Sequence, residues 1–125
     1  MTREFSFPRR LRIVRENDFK KVFSEGARAR GAALVVVVRE NGLPESRLGL
    51  SVGKSIWKSA VRRNRVRRVF REAFRLNRRE LPAGLDVVMI PPVPKLEPDL
   101  AVVGRELVEL VAKAIRKQRA RKAAT

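Results

Sequence analysis

The chain of 125 residues contains no cysteine and no histidine. Without cysteine it has no disulfide, no thiolate zinc site and no cysteine nucleophile. Without histidine it lacks the commonest general base and the commonest metal ligand of proteins. Its 13 acidic residues are scattered and mostly sit beside basic ones, whereas a self-contained nuclease needs clustered carboxylates to hold Mg²⁺. We therefore expect no catalytic residue and no metal site in the protein itself.

Long hydrophobic runs are also missing. No apolar run approaches the roughly 20 residues of a transmembrane helix, and the first ten residues lack the apolar stretch of a signal peptide. The sequence therefore predicts a cytoplasmic protein that does not use a membrane. The 44% of hydrophobic residues are enough for the core of one domain of this length. We expect a single domain over residues 1–125.

Positive charge is what the chain has in excess. It carries 30 lysines and arginines against the 13 acids, which gives a net charge of +17. This charge is far larger than solubility requires, and such a field attracts the phosphate backbones of nucleic acids. Composition alone thus favours a nucleic-acid-binding protein.

Much of this charge lies in the segment 58–75. Its apolar residues recur at the i, i+3, i+4, i+7, i+8 spacing of a helix that packs one side on a core, namely Val66, Val69, Phe70, Ala73 and Phe74. The opposite side is almost entirely basic and consists of Asn64, Arg67, Arg68, Arg71 and Arg75, with Arg65 at its border. The pattern predicts a helix with one core face and one arginine face.

An arginine face is unfavourable for an isolated helix. Arg63, Arg67, Arg71 and Arg75 form an i, i+4 ladder of like charges, each step of which costs a few tenths of a kcal/mol. The last helix of the chain instead places its acids early and its bases late, as the helix dipole prefers. A merely solvated face is the common alternative for a charge run, but this ladder favours a face that binds a polyanion.

The remaining patterns predict an α+β fold with the element order α-β-β-α-β-α. A short helix begins near Asn17 and ends at Gly26, and the final helix begins near Pro98 and buries Leu100, Val103, Leu107, Leu110, Val111, Ala114 and Ile115. The strands are 34–38, its antiparallel hairpin partner 47–52, and 86–90, which together form a small mixed or antiparallel sheet against the helices. Residues 15–118 are expected to form the folded part, and residues 119–125 a basic, flexible tail. Residues 1–14 are basic and have two equal interpretations, an arm that is flexible alone and orders on a polyanion, or a frayed terminus without a role.

Three aromatic residues have two readings each. Phe19 and Phe23 are one helical turn apart and share a face, which can pack into the core or line a groove on which bases stack. Spacing alone favours the core. Trp57 precedes the arginine-rich helix, where a packing role at the helix entrance is favoured over a stacking platform.

The segment Arg63-Asn64-Arg65, inside residues 60–74, resembles the protein subunit of bacterial ribonuclease P. The pieces 17–23 with Gly26, 48–52 with Lys54, and 84–88 resemble the same family in order and spacing, and the resemblance covers residues 7–118. It implies a fold similar to that of ribosomal RNA-binding domains, with a left-handed βαβ crossover around the central helix. It also implies a protein that binds a large catalytic RNA and assists endonucleolytic removal of the 5′ leader from precursor tRNA.

The resemblance also assigns site residues. The positions that match the catalytic-RNA-binding face are Arg62, Arg63, Asn64, Arg65, Arg67, Arg68, Arg71 and Arg75. The leader-binding cleft is expected to include Phe19, Phe23, Val36, Lys54 and Lys58. For the two phenylalanines the resemblance reverses the preference from spacing and favours the cleft. Mg²⁺ is expected to be bound mainly by the RNA, and no protein partner is expected to be obligatory.

Two other functions remain open at this stage. A general structural RNA-binding protein of the ribosomal type would share the charge and the fold, and preference for precursor over mature tRNA would separate the two. An enzyme that cuts RNA unaided is disfavoured, because the chain lacks histidine, cysteine and an acidic cluster.

Overall fold

The computed structural model describes residues 8–124. Three helices and four strands follow one another in the order α1 (Glu16–Glu25), β1 (Ala27–Arg30), β2 (Val35–Glu40), β3 (Arg47–Leu50), α2 (Ala60–Asn77), β4 (Leu85–Ile90) and α3 (Leu100–Ala124). Two 3₁₀ turns, Arg9–Leu11 and Arg78–Glu80, precede α1 and follow α2. The predicted α+β class is confirmed, and the sheet is mixed.

The predicted antiparallel hairpin of segments 34–38 and 47–52, which correspond to β2 and β3, is wrong. The strand order is β1-β2-β4-β3, so β4 lies between β2 and β3, antiparallel to the first and parallel to the second. Asp86 of β4 is the register partner of both Arg39 and Arg47, and its carboxylate is bound by both arginines. The apolar run of β4 is buried on both faces, which suits a central strand.

The strand β1 was not predicted. It alternates alanine and arginine, which are weak strand formers, although the alternation itself matches the strand period. Ala27 and Ala29 face the core and Arg28 and Arg30 face outward, and β1 forms the true hairpin with β2.

The two faces of the sheet carry different layers. One face, with Val36 and Met89, packs against α2 and α3 in the main core, which includes Phe70, Phe74 and Leu107. The other face, with Val37 and Val88, is covered by α1 and by Ile13. The strand β3 returns through α2 to the parallel strand β4, so the arginine-rich helix is a βαβ crossover. Its left-handed sense stays a prediction.

Both basic ends contact the rest of the protein within the described residues, and their flexibility stays a prediction. Residues 8–14 of the predicted arm are docked: Leu11 and Ile13 are buried, and Ile13 N donates to Leu48 O at 2.8 Å. Residues 1–7 of that arm lie outside the described residues. The predicted tail from residue 119 is the end of α3 up to residue 124, since Arg121 donates to Gly26 O and Gln118 is buried against the chain at residues 25–40.

The helices begin and end close to the predicted residues. The hydroxyl of Ser59 accepts a hydrogen bond from Arg62 N, and α2 begins just after it. Gly26 ends α1 with φ of −80°, so it is needed there for close approach and not for a left-handed conformation, because a Cβ would lie 2.5 Å from Val22 O. Leu100, predicted to be buried in α3, is 39% exposed.

Candidate nucleic-acid interface

The core stripe predicted for α2 is confirmed. Val66, Phe70, Ala73 and Phe74 are buried, and Val69 packs at the edge of the core. The outer side of the helix therefore faces away from the sheet, as the spacing requires. The arginines on that outer side divide into those that the fold uses internally and those that it leaves available.

Two members of the arginine ladder hold the segment that leads into α2. Arg63 donates from Nη1 to the carbonyls of Trp57 and Lys58, at 2.6 and 2.9 Å. Arg67 donates from Nη2 to Val52 O at 2.8 Å and from Nη1 to Asn64 Oδ1 at 3.0 Å. Cationic donors to carbonyls form strong hydrogen bonds, so both arginines position residues 52–58 in the free protein. The predicted cost of the like-charge ladder is thereby partly offset.

The two ends of α2 carry ion pairs. Arg62 donates to Glu97 at 2.6 Å, and its guanidinium carbon lies 5.1 Å from the centroid of the Trp57 ring. Trp57 is partly buried and donates from Nε1 to Leu96 O at 3.2 Å, which agrees with a packing role at the helix entrance. At the other end Arg75 is bound by Glu72, which lowers the pKa of Glu72 and raises that of Arg75.

The middle of the outer face is different. Arg65 and Arg68 are exposed, Arg71 is half-buried, and none of them has a hydrogen bond or ion pair with an acid within residues 8–124. Burial lowers the pKa of Arg71, and the nearby charges of Arg12, Arg68 and Arg67 lower it further. A cluster of like charges without counter-charges is the arrangement that a phosphate backbone neutralises.

Phe19 and Phe23 lie on the other side of the sheet, on α1. Phe19 is half-buried beside Ile13 and over Gly49, while Phe23 is 38% exposed and has the Arg28 guanidinium 5.6 Å from its ring centroid. The two phenylalanines therefore differ. Phe19 packs against the core, and Phe23 exposes its ring at the surface.

Val36 does not lie with these phenylalanines. It is fully buried on the α2 and α3 side of the sheet, because side chains alternate along a strand and its neighbours take the α1 side. Val35 and Val37 occupy that side, with Ile90 beside Val35 and the basic residues Arg28 and Arg30 on the neighbouring strand β1. These residues were missed, although the alternation in 27–30 was a signal for an outward basic edge.

Lys54 and Lys58 are exposed in the segment between β3 and α2. That segment follows the carboxyl end of β3, at the sheet edge where Val35 pairs with Ile90. No described contact joins either lysine to Phe19 or Phe23. The structure therefore places the predicted cleft residues on one sheet edge, on α1 and, for Val36, inside the core.

A metal site or a membrane-spanning helix would bear directly on function. Within residues 8–124, no three histidine, cysteine or acidic side chains are grouped in a way that suits a metal ion. In the same part of the chain, no helix combines the length and the apolar character that crossing a membrane requires.

The mixed sheet with its arginine-bearing crossover helix defines an α+β domain with one strongly basic helix face. A family model described as Ribonuclease P matches residues 7–115. The ribonuclease P protein component of Pseudomonas putida (strain GB-1) is 46% identical over 85 residues, which cover 67% of this chain and 63% of that protein. The corresponding protein of Thermotoga maritima is 44% identical over 86 residues, 69% of this chain and 73% of that protein. The chain belongs to the ribonuclease P protein family.

Solved structures agree with this assignment. The RNase P protein from Thermotoga maritima superimposes with a TM-score of 0.72 at 36% identity, over 82% of this chain and 96% of that one. The Staphylococcus aureus RNase P protein gives a TM-score of 0.71 at 26% identity, over 83% of this chain and 94% of that one. The matched part of this chain spans slightly less than two thirds of the length of the Pseudomonas putida relatives.

Proposed function

We propose that this chain is the protein component of a ribonuclease P ribonucleoprotein, which binds the catalytic RNA and the 5′ leader of precursor tRNA and assists endonucleolytic removal of that leader. The observation that carries the proposal is the outer face of α2, where Arg65 and Arg68 are exposed and have no acidic partner in the described structure. Family membership supplies the identity of the RNA. The cytoplasmic location expected from the sequence stays a prediction.

On this proposal the arginines of α2 act in two ways. Arg65, Arg68 and Arg71 contact phosphates of the catalytic RNA, for which the planar guanidinium is suited because it binds phosphate through two parallel hydrogen bonds. Arg63 and Arg67 hold residues 52–58 in place through carbonyl contacts, and so they set where Lys54 and Lys58 stand. In the free protein the Oδ1 of Asn64 accepts a hydrogen bond from Arg67, which leaves the Nδ2 amide group of Asn64 as a donor for RNA.

The leader is proposed to lie on the α1 side of the sheet. Phe23 offers an exposed ring on which a base can stack, and Arg28 beside it offers a cation for a phosphate. On the same side of the sheet, Val37 is the register partner of Arg28, and Val35 and Ile90 follow as aliphatic residues without a ring to stack on. Single-stranded recognition of this kind tolerates many sequences, because every base has a stacking face.

The bond-breaking chemistry is proposed to reside in the RNA with its Mg²⁺ ions. The chain offers neither histidine nor cysteine as a general base or nucleophile. Its contribution is charge: cations between two RNA molecules screen the repulsion of their backbones, which strengthens binding of the precursor.

The test is cleavage of leader-bearing precursor tRNA at low Mg²⁺ by catalytic RNA alone, by protein alone and by both. We expect efficient cleavage only by the mixture, with a gain that increases with leader length. Cleavage by the protein alone would indicate an enzyme that acts unaided. A protein that binds RNA but adds nothing to cleavage would indicate a general RNA-binding function instead.

A matched pair of variants tests the leader site. Phe23→Ala and Leu100→Ala each remove one similarly exposed apolar side chain, 38% and 39% exposed, from opposite sides of the sheet. We expect Phe23→Ala to weaken binding of long-leader precursor roughly five- to tenfold, the lower end of what one base stack contributes, and to leave mature tRNA binding unchanged. Equal effects of the two variants would contradict a leader site at Phe23.

A further inference from the structure

A second basic surface lies on the α1 side of the molecule, away from the outer face of α2. It is an open cleft of about 690 Å³ between residues 9–15, α1 and the β2–β3 turn. Seven of its eleven lining residues are arginine or lysine, and one, Asp18, is acidic. No site residue predicted from the sequence belongs to it.

Several of these cations already have acidic partners. Arg10 binds Glu45 at 3.1 Å, while Arg39 and Arg47 bind the buried Asp86. Asp18, the one acid of the lining, lies 3.7 Å from Arg47. Each of these acids is therefore already paired with at least one arginine, and Glu45 also binds Arg78. Arg9, Arg15 and Lys21 are exposed, and no side-chain partner for them occurs within residues 8–124.

The fold holds this basic wall in place. Leu11 and Ile13 are buried, and Arg12 forms a parallel bridge with Leu48 beside β3. The backbone of residues 11–13 is thus anchored on β3, and this anchoring places the backbone positions from which the neighbouring basic side chains extend. Preorganised groups bind a polyanion more tightly, since less conformational freedom is lost on binding.

Arg12 links the cleft to the outer face of α2. It lines the cleft, and residue 12 also bridges to Leu48 of β3, the strand that leads into α2. Among the neighbouring charges, that of Arg12 contributes most to the lowering of the Arg71 pKa, after burial itself. Arg12 thus stands between the cleft and the arginines of α2.

We propose that this cleft binds the phosphodiester backbone of the catalytic RNA, so that the RNA contact of the protein continues from α2, past Arg12, to Arg9, Arg15 and Lys21. The inference rests on the proposed function. The lining contains no aromatic residue on which a base could stack, so the cleft binds backbone and not a free nucleotide or a particular base.

The experiment compares two triple variants with the same charge change. Arg9→Ala, Arg15→Ala and Lys21→Ala remove the unpaired cations of the cleft, while Arg105→Ala, Lys113→Ala and Arg116→Ala remove three exposed cations of α3. Binding to transcribed ribonuclease P catalytic RNA is measured over a range of salt concentrations. For three lost phosphate contacts we expect the slope of log K against log salt to decrease by about 2 to 3, and affinity to fall more than tenfold. The α3 triple is expected to change the slope by less than about 1.

Further arms separate the possible failures. If Arg65→Ala with Arg68→Ala weakens RNA binding but the cleft triple behaves like the α3 triple, the cleft inference is overturned and the proposed function stands. If neither set weakens binding, the proposed function fails as well. A cleft triple that weakens only precursor tRNA binding to the preformed complex also overturns the inference, because the occupant is then the precursor. Lys21→Glu repeats the test should the triple variant unfold.

Discussion

The ring of Phe19 lies against the backbone of Gly49, where a methyl group would come within 2.7 Å of Phe19 Cε1 and 3.2 Å of Ile13 Cδ1. This contact brings α1, residues 9–13 and β3 together at one point. The absence of a side chain at position 49 is what lets α1 approach the sheet closely. The position of α1, and hence of the Phe23 ring, depends on this glycine.

Gly49→Ala is therefore expected to destabilise the protein by about 1 to 3 kcal/mol through overpacking. Phe19→Leu should recover part of the loss in the double variant, because it removes the ring atom that clashes. Urea unfolding measures both effects. Gly53→Ala is the control, since a methyl group there meets nothing closer than 4.0 Å. Equal stability of Gly49→Ala and Gly53→Ala would contradict the contact.

Arg67 and Arg65 have different roles, although both are arginines of α2: Arg67 stabilises the fold, and Arg65 is available to RNA. Arg67→Ala removes the hydrogen bond to Val52 O and is expected to lower stability by about 1 kcal/mol, because the group is partly exposed. Arg65→Ala should leave stability within about 0.5 kcal/mol of the parent protein. Thermal unfolding and RNA affinity, measured on the same samples, separate the two roles. A stable Arg67→Ala variant would rule out the structural role.

Asp86 is fully buried and accepts hydrogen bonds from Arg47 at 2.9 and 2.8 Å. Asp86→Asn leaves the Arg47 guanidinium without its carboxylate, and we expect a loss of about 3 kcal/mol. The exposed pair of Arg62 and Glu97 provides the control, since Glu97→Gln should cost less than about 1 kcal/mol. The free energy of unfolding of each variant, from urea titration, decides between the two magnitudes.

The ion pairs of Glu45 make the free energy of unfolding depend on pH in the acidic range. Hydrogen bonds from Arg10 and Arg78 lower the pKa of Glu45 below its ordinary value of 4.5. A carboxyl whose pKa is lower in the folded state stabilises the protein above that ordinary value, and this stabilisation is lost as the pH falls through the folded pKa. Glu72, held by Arg75, acts in the same direction.

We therefore expect the free energy of unfolding to decline as the pH falls below about 4.5 and to stay nearly level between pH 6 and 8, where the chain has no histidine to titrate. Glu45→Gln should be less stable than the parent at pH 7 and should lose less on acidification. Urea unfolding across this pH range is the measurement. A parallel decline of both proteins would show that Glu45 does not contribute.

Local sequence patterns predicted the helix α2 and the strands β2 and β4. The 3.6-residue spacing of Val66, Phe70 and Phe74 determined which side of α2 is buried, and the apolar runs located β2 and β4. The strand β1 was missed because alanine and arginine do not favour strands, and it is stabilised by hydrogen bonds to β2 and by the packing of Ala27 and Ala29 in the core. Val36 was assigned to the cleft from the resemblance, and alternation did not test that assignment, because it shows that neighbours lie on opposite faces but not which face α1 covers.

The sequence by itself determined the amphipathic α2, the excess of positive charge and the absence of side chains for autonomous nuclease chemistry, since each follows from residue type and short-range spacing. Only the tertiary structure decided that β4 lies between β2 and β3, because that order consists of backbone pairing between segments far apart in the sequence, where Asp86 meets Arg39 and Arg47. It also decided which arginines are available to RNA. Arg63 and Arg67 donate hydrogen bonds to carbonyls of residues 52–58, and the docking of residues 9–13 brings the charge of Arg12 toward Arg71. Helical periodicity does not encode these contacts, because they join α2 to segments outside the helix.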